Sequence, residues 1–160
     1  MRDDLSNVEV FNFTALQLFA KLFDSFPQPV SLDADTLASE SNEAFGETMN
    51  DTVRFVYLAP HTVTWLAEEG FLRFEKGPYP GSQTFTSVRL TLKGLTVLGY
   101  APTALQAPEK STPLINRIKS VVAVGAEKAG ADAVKSLLGE VFKLSISMAF
   151  ASAKSPGMYT

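Results

Sequence analysis

The seven residues GPYPGSQ at 77–83 hold two prolines and two glycines, too much turn chemistry for the interior of a helix or strand. On one side Leu72 and Phe74 alternate with Arg73 and Glu75; on the other Val88, Leu90 and Leu92 alternate with Arg89 and Thr91. Two runs of period two around a tight turn predict an antiparallel hairpin, each strand with one apolar and one polar face.

Upstream the apolar residues recur at helical spacing. Asn12 is placed to cap a helix carrying Leu16, Phe19, Phe23 and Phe26, and Pro27 and Pro29 stop it. Val30 and Leu32 make a short strand, and Asp33 is placed to cap a helical turn through Leu37. The acidic stretch SESNEAFGETMND at 39–51 is expected to be an exposed loop. Asp51 can cap a short helix over Val53–Leu58 ended by Ala59-Pro60, although so dense an apolar run also fits a strand. A second helix then begins at Pro60 or His61, turns Val63, Leu66 and Ala67 inward, and ends at Gly70 as a left-handed cap. Thr91 can cap a last short helix with Leu95 and Leu98. Trp65 is expected to serve packing.

The order helix, strand, helices, strand, turn, strand predicts an α+β fold over residues 10–100. Within it, Trp65-Leu66-Ala67-Glu68-Glu69-Gly70-Phe71-Leu72 followed by Leu90-Thr91-Leu92-Lys93-Gly94-Leu95 resembles the signature of bacterial winged-helix regulators of the MarR and PadR kind. The core with its Ala/Gly-rich tail also resembles a bacterial winged-helix group of no assigned function. The resemblance implies a three-helix core with a two-stranded wing, DNA binding and transcription regulation. On that plan the base-reading positions are His61, Thr62 and Thr64, and the phosphate-gripping cations on or beside the wing are Arg73, Lys76, Arg89 and Lys93.

Charge weakens the DNA reading. His61–Phe74, the stretch that would read bases, carries Glu68 and Glu69 and no Lys or Arg before Arg73. Residues 1–60 hold three basic and ten acidic groups, net −7; residues 61–100 hold four and three, net +1; residues 101–160 hold seven and four, net +3. A polyanion would therefore meet the second half of the chain. A DNA-associated dimeric regulator remains the first reading, with a protein-interaction or assembly module as the alternative. No cofactor or metal is expected. The chain has no cysteine and one histidine, which excludes disulfides and thiolate sites and leaves carboxylates almost alone as ligands. Solvated acidic residues fit no acid/base pair, and Gly125 and Gly130 form no phosphate loop, so an enzyme is not expected. With no apolar run of membrane-spanning length and no signal-like N-terminus, the expected location is the cytoplasm.

Residues 101–112 are expected to be a Pro-rich linker. Beyond it, over 113–150, Val122, Ala126, Ala129, Ala133, Leu137, Val141, Leu144 and Met148 form a helical stripe. One continuous helix of that length would extend about 57 Å, with Gly130 as a natural break. The stripe suits self-association best, then folding back on the domain, then lying on a membrane surface. The end, 151–160, is expected to be disordered.

Overall fold

The first helix, α1 (Asn7–Ser25), starts at a capping box rather than at Asn12. The Glu9 amide donates to Ser6 Oγ at 3.1 Å and the Ser6 amide donates to the Glu9 carboxylate at 3.1 Å. The Ser-x-x-Glu spacing satisfies two otherwise orphaned amides, which a lone Asn cannot do. Asn12 instead lies buried in the second turn. In this computed structural model, which describes residues 6–46, 52–78, 83–99 and 113–153, α1 is the central element. Phe13 through Ala20 are buried without interruption, so it is covered on every side.

After β1 (Val30–Asp33), Asp33 caps α2 (Ala34–Ala44) through the Asp35 amide at 2.9 Å. The helix runs well past the single turn expected. Leu37, Ala38, Ser41 and then Phe45 fall on one helical face and are buried, with Phe45 edge-on to Phe13 at 5.7 Å and tilted against Phe55 at 5.5 Å. Ser39–Ala44 are therefore helical rather than loop; 47–51 lie outside the described residues. A polar seam ties α2 to α1. Thr14 and Ser41 hydroxyls pair at 2.9 Å, Ser41 Oγ donates to Gln17 Oε1 at 2.7 Å, and Gln17 Nε2 donates to Glu40 at 3.2 Å.

A single helix, α3 (Thr52–Glu68), replaces the two expected around Pro60. An interior proline costs about 3 kcal/mol. Phe55, Val63 and Leu66, all buried on one face, contribute about 1.5–3 kcal/mol each, so packing outweighs the local penalty. The helix ends as expected at Gly70, φ +86°. The Gly70 amide bonds Ala67 O and the Phe71 amide bonds Leu66 O, the paired closure of a Schellman cap.

The hairpin forms from β2 (Leu72–Arg73) and β3 (Thr84–Leu90), and β3 also pairs with β1, giving a three-stranded antiparallel sheet of order β1-β3-β2. A bulge separates the Val30↔Val88 and Leu32↔Phe85 pairs, where Ser87 has φ +55°. Thr91 caps α4 (Leu92–Val97), accepting from the Gly94 amide at 3.0 Å. A Cβ at Gly94 would stand 2.1 Å from Phe71 O, so only glycine lets α4 sit this close to the end of α3.

The tail departs most from expectation. It is α5 (Leu114–Val124), α6 (Ala126–Ala129) and α7 (Ala131–Ala153), broken at both Gly125 (φ +97°) and Gly130 (φ +91°). α5 and α7 both pack on α1. Leu114, Ile115, Ile118, Val134, Leu137, Leu138 and Val141 join the same hydrophobic core as α1 and α3. Residues 113–150 are thus part of the one core rather than a separate extension. Residues 151–153 continue α7, while 154–160 and the whole of the expected linker, 101–112, lie outside the described residues. The fold is α+β, mostly helical, with a small antiparallel sheet.

Candidate interaction surfaces

α3 buries Phe55, Ala59, Thr62, Val63 and Leu66, which leaves the opposite face to solvent. That outer face carries Val53 (80% exposed), Tyr57 (65%), His61 and Trp65 (40%), each four residues after the last, so that they form one slowly winding stripe. The Tyr57 and His61 ring centroids are 5.0 Å apart. Trp65 closes the stripe against the body. Its ring lies edge-on to Phe11 of α1 at 5.3 Å and to Phe142 of α7 at 5.7 Å, and Phe142 also meets Phe71 at 5.5 Å.

The expected base-reading residues are placed differently from the expectation. His61 lies mid-helix, so no free helix N-terminus stands beside it. Thr62 is 2% exposed and its hydroxyl donates to Leu58 O at 2.9 Å, which removes it from any surface. Thr64 is half-buried. Trp65, expected to serve packing, does pack, against Phe11 and Phe142; the exposure of Val53 and Tyr57 was not foreseen from the sequence, and their four-residue spacing with His61 was the available signal, hidden by dividing the helix at Pro60.

The hairpin brings Arg73 and Arg89 directly opposite each other on its exposed face, beneath the buried Leu72↔Leu90 pair. Like charges in that position are mutually destabilising. Neither makes an ion pair among the described residues, and Lys76 is exposed nearby, bridged to Thr86. Lys93 stands apart: its ammonium donates to Glu69 O at 2.6 Å and lies 4.6 Å from the Phe71 ring. It holds the negative end of α3 and is not free for phosphate.

The tail stripe is covered by its own chain. Ala126, Leu137 and Val141 are buried in the core; Val122, Ala129 and Met148 pack against it half-buried; Ala133 and Leu144 are exposed. The expectation that this stripe faces a second tail is corrected: α1 occupies it. Arg117 of α5 fastens α7 through a two-pronged contact to Glu140 at 2.8 and 2.7 Å. Its hydrogen bonds hold the Glu140 carboxyl below the usual range and raise the Arg117 guanidinium.

Two open grooves of about 360 Å³ each adjoin between α1, α2 and the α5–α6 turn, crossed by the Lys21–Glu40 ion pair at 2.9 Å. Among the described residues no three His, Asp or Glu side chains group to hold a metal ion. No described helix is long and apolar enough to cross a membrane. Comparison with protein-family models, curated proteins and solved structures returns no match to this chain.

Proposed function

We propose that the chain is a winged-helix protein-interaction module that presents α3 to a protein partner rather than to DNA. The order of elements and the β1-β3-β2 sheet support a winged-helix plan, in which α3 is the helix that would enter a groove. The observation that carries the interaction reading is the outer face of α3. It exposes Val53, Tyr57, His61 and Trp65 and ends in Glu68 and Glu69. Duplex recognition needs cations where this face has apolar rings, whereas exposed aromatic residues are what protein interfaces bury. The acidic outer residues Asp35 and Glu43 of α2 add to the repulsion of a polyanion.

A photo-activated cross-linking side chain at Val53, in cells expressing the full chain, tests this. The expected product is a protein adduct. The absence of any protein adduct, combined with retardation of duplex DNA by the purified chain, overturns the reading. A second reading, contact with a nucleic-acid backbone through the hairpin, is favoured by one observation, the facing Arg73 and Arg89. Two cations held together against their repulsion suit an anion between them.

A further inference from the structure

We infer that the hairpin holds a phosphorylated, extended segment of a protein partner, with Arg73 and Arg89 gripping the phosphate and the open edge of β2 pairing with the peptide backbone. The inference rests on the interaction reading in taking a protein as the partner, and goes beyond it by assigning a second contact and its chemistry. The described arginines are Arg54, Arg73, Arg89 and Arg117. Arg117 is tied to Glu140, and Arg54 is engaged within the chain. Arg73 and Arg89 are exposed, make no hydrogen bond or ion pair among the described residues, and face each other across the hairpin. Glu75, exposed one pleat further along the strand, shares their face and pairs with neither. The fold thus leaves two like charges uncompensated at the separation of cross-strand neighbours, about 5 Å between Cβ atoms. An anion set between them turns that repulsion into attraction. A carboxylate offers one charge and two oxygens, which a single guanidinium fork satisfies. A phosphate monoester offers up to two charges and three acceptor oxygens, which takes two forks.

The second observation is where the pair sits. In the order β1-β3-β2 the strand that carries Arg73 is an edge, bonded to β3 on one side and to no strand on the other. An edge strand turns the N–H and C=O groups of alternate residues outward, where an extended polypeptide can take them as a further strand. A residue of that added strand lying beside Arg73 stands about 5 Å from it and about 10 Å from Arg89. It projects on the same face as both guanidinium groups, within reach of their long stems. Backbone pairing selects a polypeptide, since neither free phosphate nor a nucleic acid has a row of amides to offer. Charge points the same way. A duplex carries a charge about every 1.7 Å of its axis and lays further phosphates over Glu75, whereas a segment with one phosphorylated side chain avoids it.

The experiment follows the backbone amide and arginine Nε–H resonances of the isotope-labelled full chain at about 50 mM salt, where phosphate contacts are strongest. The probe is a capped peptide of alternating valine and threonine with one phosphoserine at its centre. The expected result is a saturable shift of the Arg73 and Arg89 Nε–H signals together with the amides of β2. The unphosphorylated peptide and inorganic phosphate each bind at least about tenfold more weakly, because each makes only one of the two contacts. Arg73→Ala and Arg89→Ala each raise the dissociation constant at least about tenfold. Arg89→Lys, which keeps the charge and loses the fork, raises it about threefold or more. The thermal unfolding midpoint of each variant checks that it folds. Inorganic phosphate that binds as tightly as the phosphopeptide overturns the peptide assignment and leaves an adventitious ion only. Duplex DNA that displaces the probe from the hairpin at lower concentration than the phosphopeptide itself overturns it in favour of a nucleic-acid backbone. No arginine shift up to roughly 5 mM phosphopeptide, a range that covers weak binding, with protein cross-links from Val53 intact, removes the phosphate site and leaves the interaction reading standing. Selective phosphopeptide binding without any Val53 adduct supports the hairpin site and removes the α3 face instead.

Discussion

Leu137→Ala separates the two fates a helical tail can have. Leu137 is 4% exposed, in the same core as Phe19 and Val63, and its face of α7 rests on α1. Truncating a buried leucine to alanine removes its transfer free energy and leaves a cavity, a cost of about 2–5 kcal/mol. The surroundings here are helices packed from two sides, which limits collapse, so about 3 kcal/mol is expected. Against a total stability of about 5–15 kcal/mol the loss is large, and for a chain of this length it lowers the thermal midpoint by about 6–12 °C. The single tryptophan supplies the assay, because Trp65 touches Phe142 of α7 and its fluorescence follows the docking of that helix. Urea melts of wild type and variant at two protein concentrations are sufficient. A midpoint that falls by the stated amount at both concentrations supports a tail belonging to the core. A variant within about 0.5 kcal/mol of wild type, a shift typical of surface positions, refutes the burial argument; so does a cost that disappears on dilution.

The hairpin reading predicts that, at about 50 mM salt where phosphate contacts are strongest, any retardation of duplex DNA is lost equally for all sequences in Arg73→Ala with Arg89→Ala. No retardation by the intact chain at that salt removes the nucleic-acid reading. The Arg117–Glu140 contact predicts a small pH effect. The Glu140 carboxyl is held down by the hydrogen bonds from Arg117, so its contribution is present above the unfolded carboxylate pKa of about 4.3 and is lost as pH falls through the lower folded value. Both side chains are nearly half exposed, which limits the effect to less than about 1 kcal/mol. Glu140→Gln should flatten the acid limb of a stability–pH curve by that amount, and an unchanged limb shows that the contact contributes nothing.

What could be read from the sequence was local. Gly70, Thr91 and the hairpin strands were recognisable because a left-handed cap, a threonine cap and period-two alternation each depend on a few adjacent residues. Gly94 belonged to a recognisable pattern, but its reason, the backbone oxygen of Phe71 at the place of a Cβ, is tertiary. The same distinction explains the failures. Pro60 is a local stop signal, overruled by side chains that bury far from it in sequence. Glu40 and Glu43 made α2 look like a loop, while Leu37, Ser41 and Phe45 were marking its buried face. For the tail the missing clue lay at the other end of the chain. A run such as Phe13–Ala20, buried on every side, needs more cover than two helices and a small sheet supply, and α5 and α7 are the cover.

The charge asymmetry takes on a different meaning once the tail is docked. In sequence the acidic first sixty residues and the basic last sixty suggest two separate surfaces, the second of them available to a polyanion. In the fold Lys119 of α5 bonds Asp24 of α1 and lies 5.1 Å from the Phe23 ring, while Arg117 is turned to Glu140. Two of the seven basic groups beyond residue 100 are thereby used to seat the tail on the body. Exposed ion pairs of this kind add little stability, but opposite charge on the two surfaces still favours this docking over alternatives. The cations left exposed and unused by the fold on the hairpin are Arg73, Lys76 and Arg89. Among the described residues these three form a small basic face, apart from the exposed Lys128, Lys135 and Lys143 of the tail, while the exposed apolar stripe of α3 lies on a helix without a cation at its centre. On that balance of surfaces the proposed protein partner fits α3 better than a nucleic acid does.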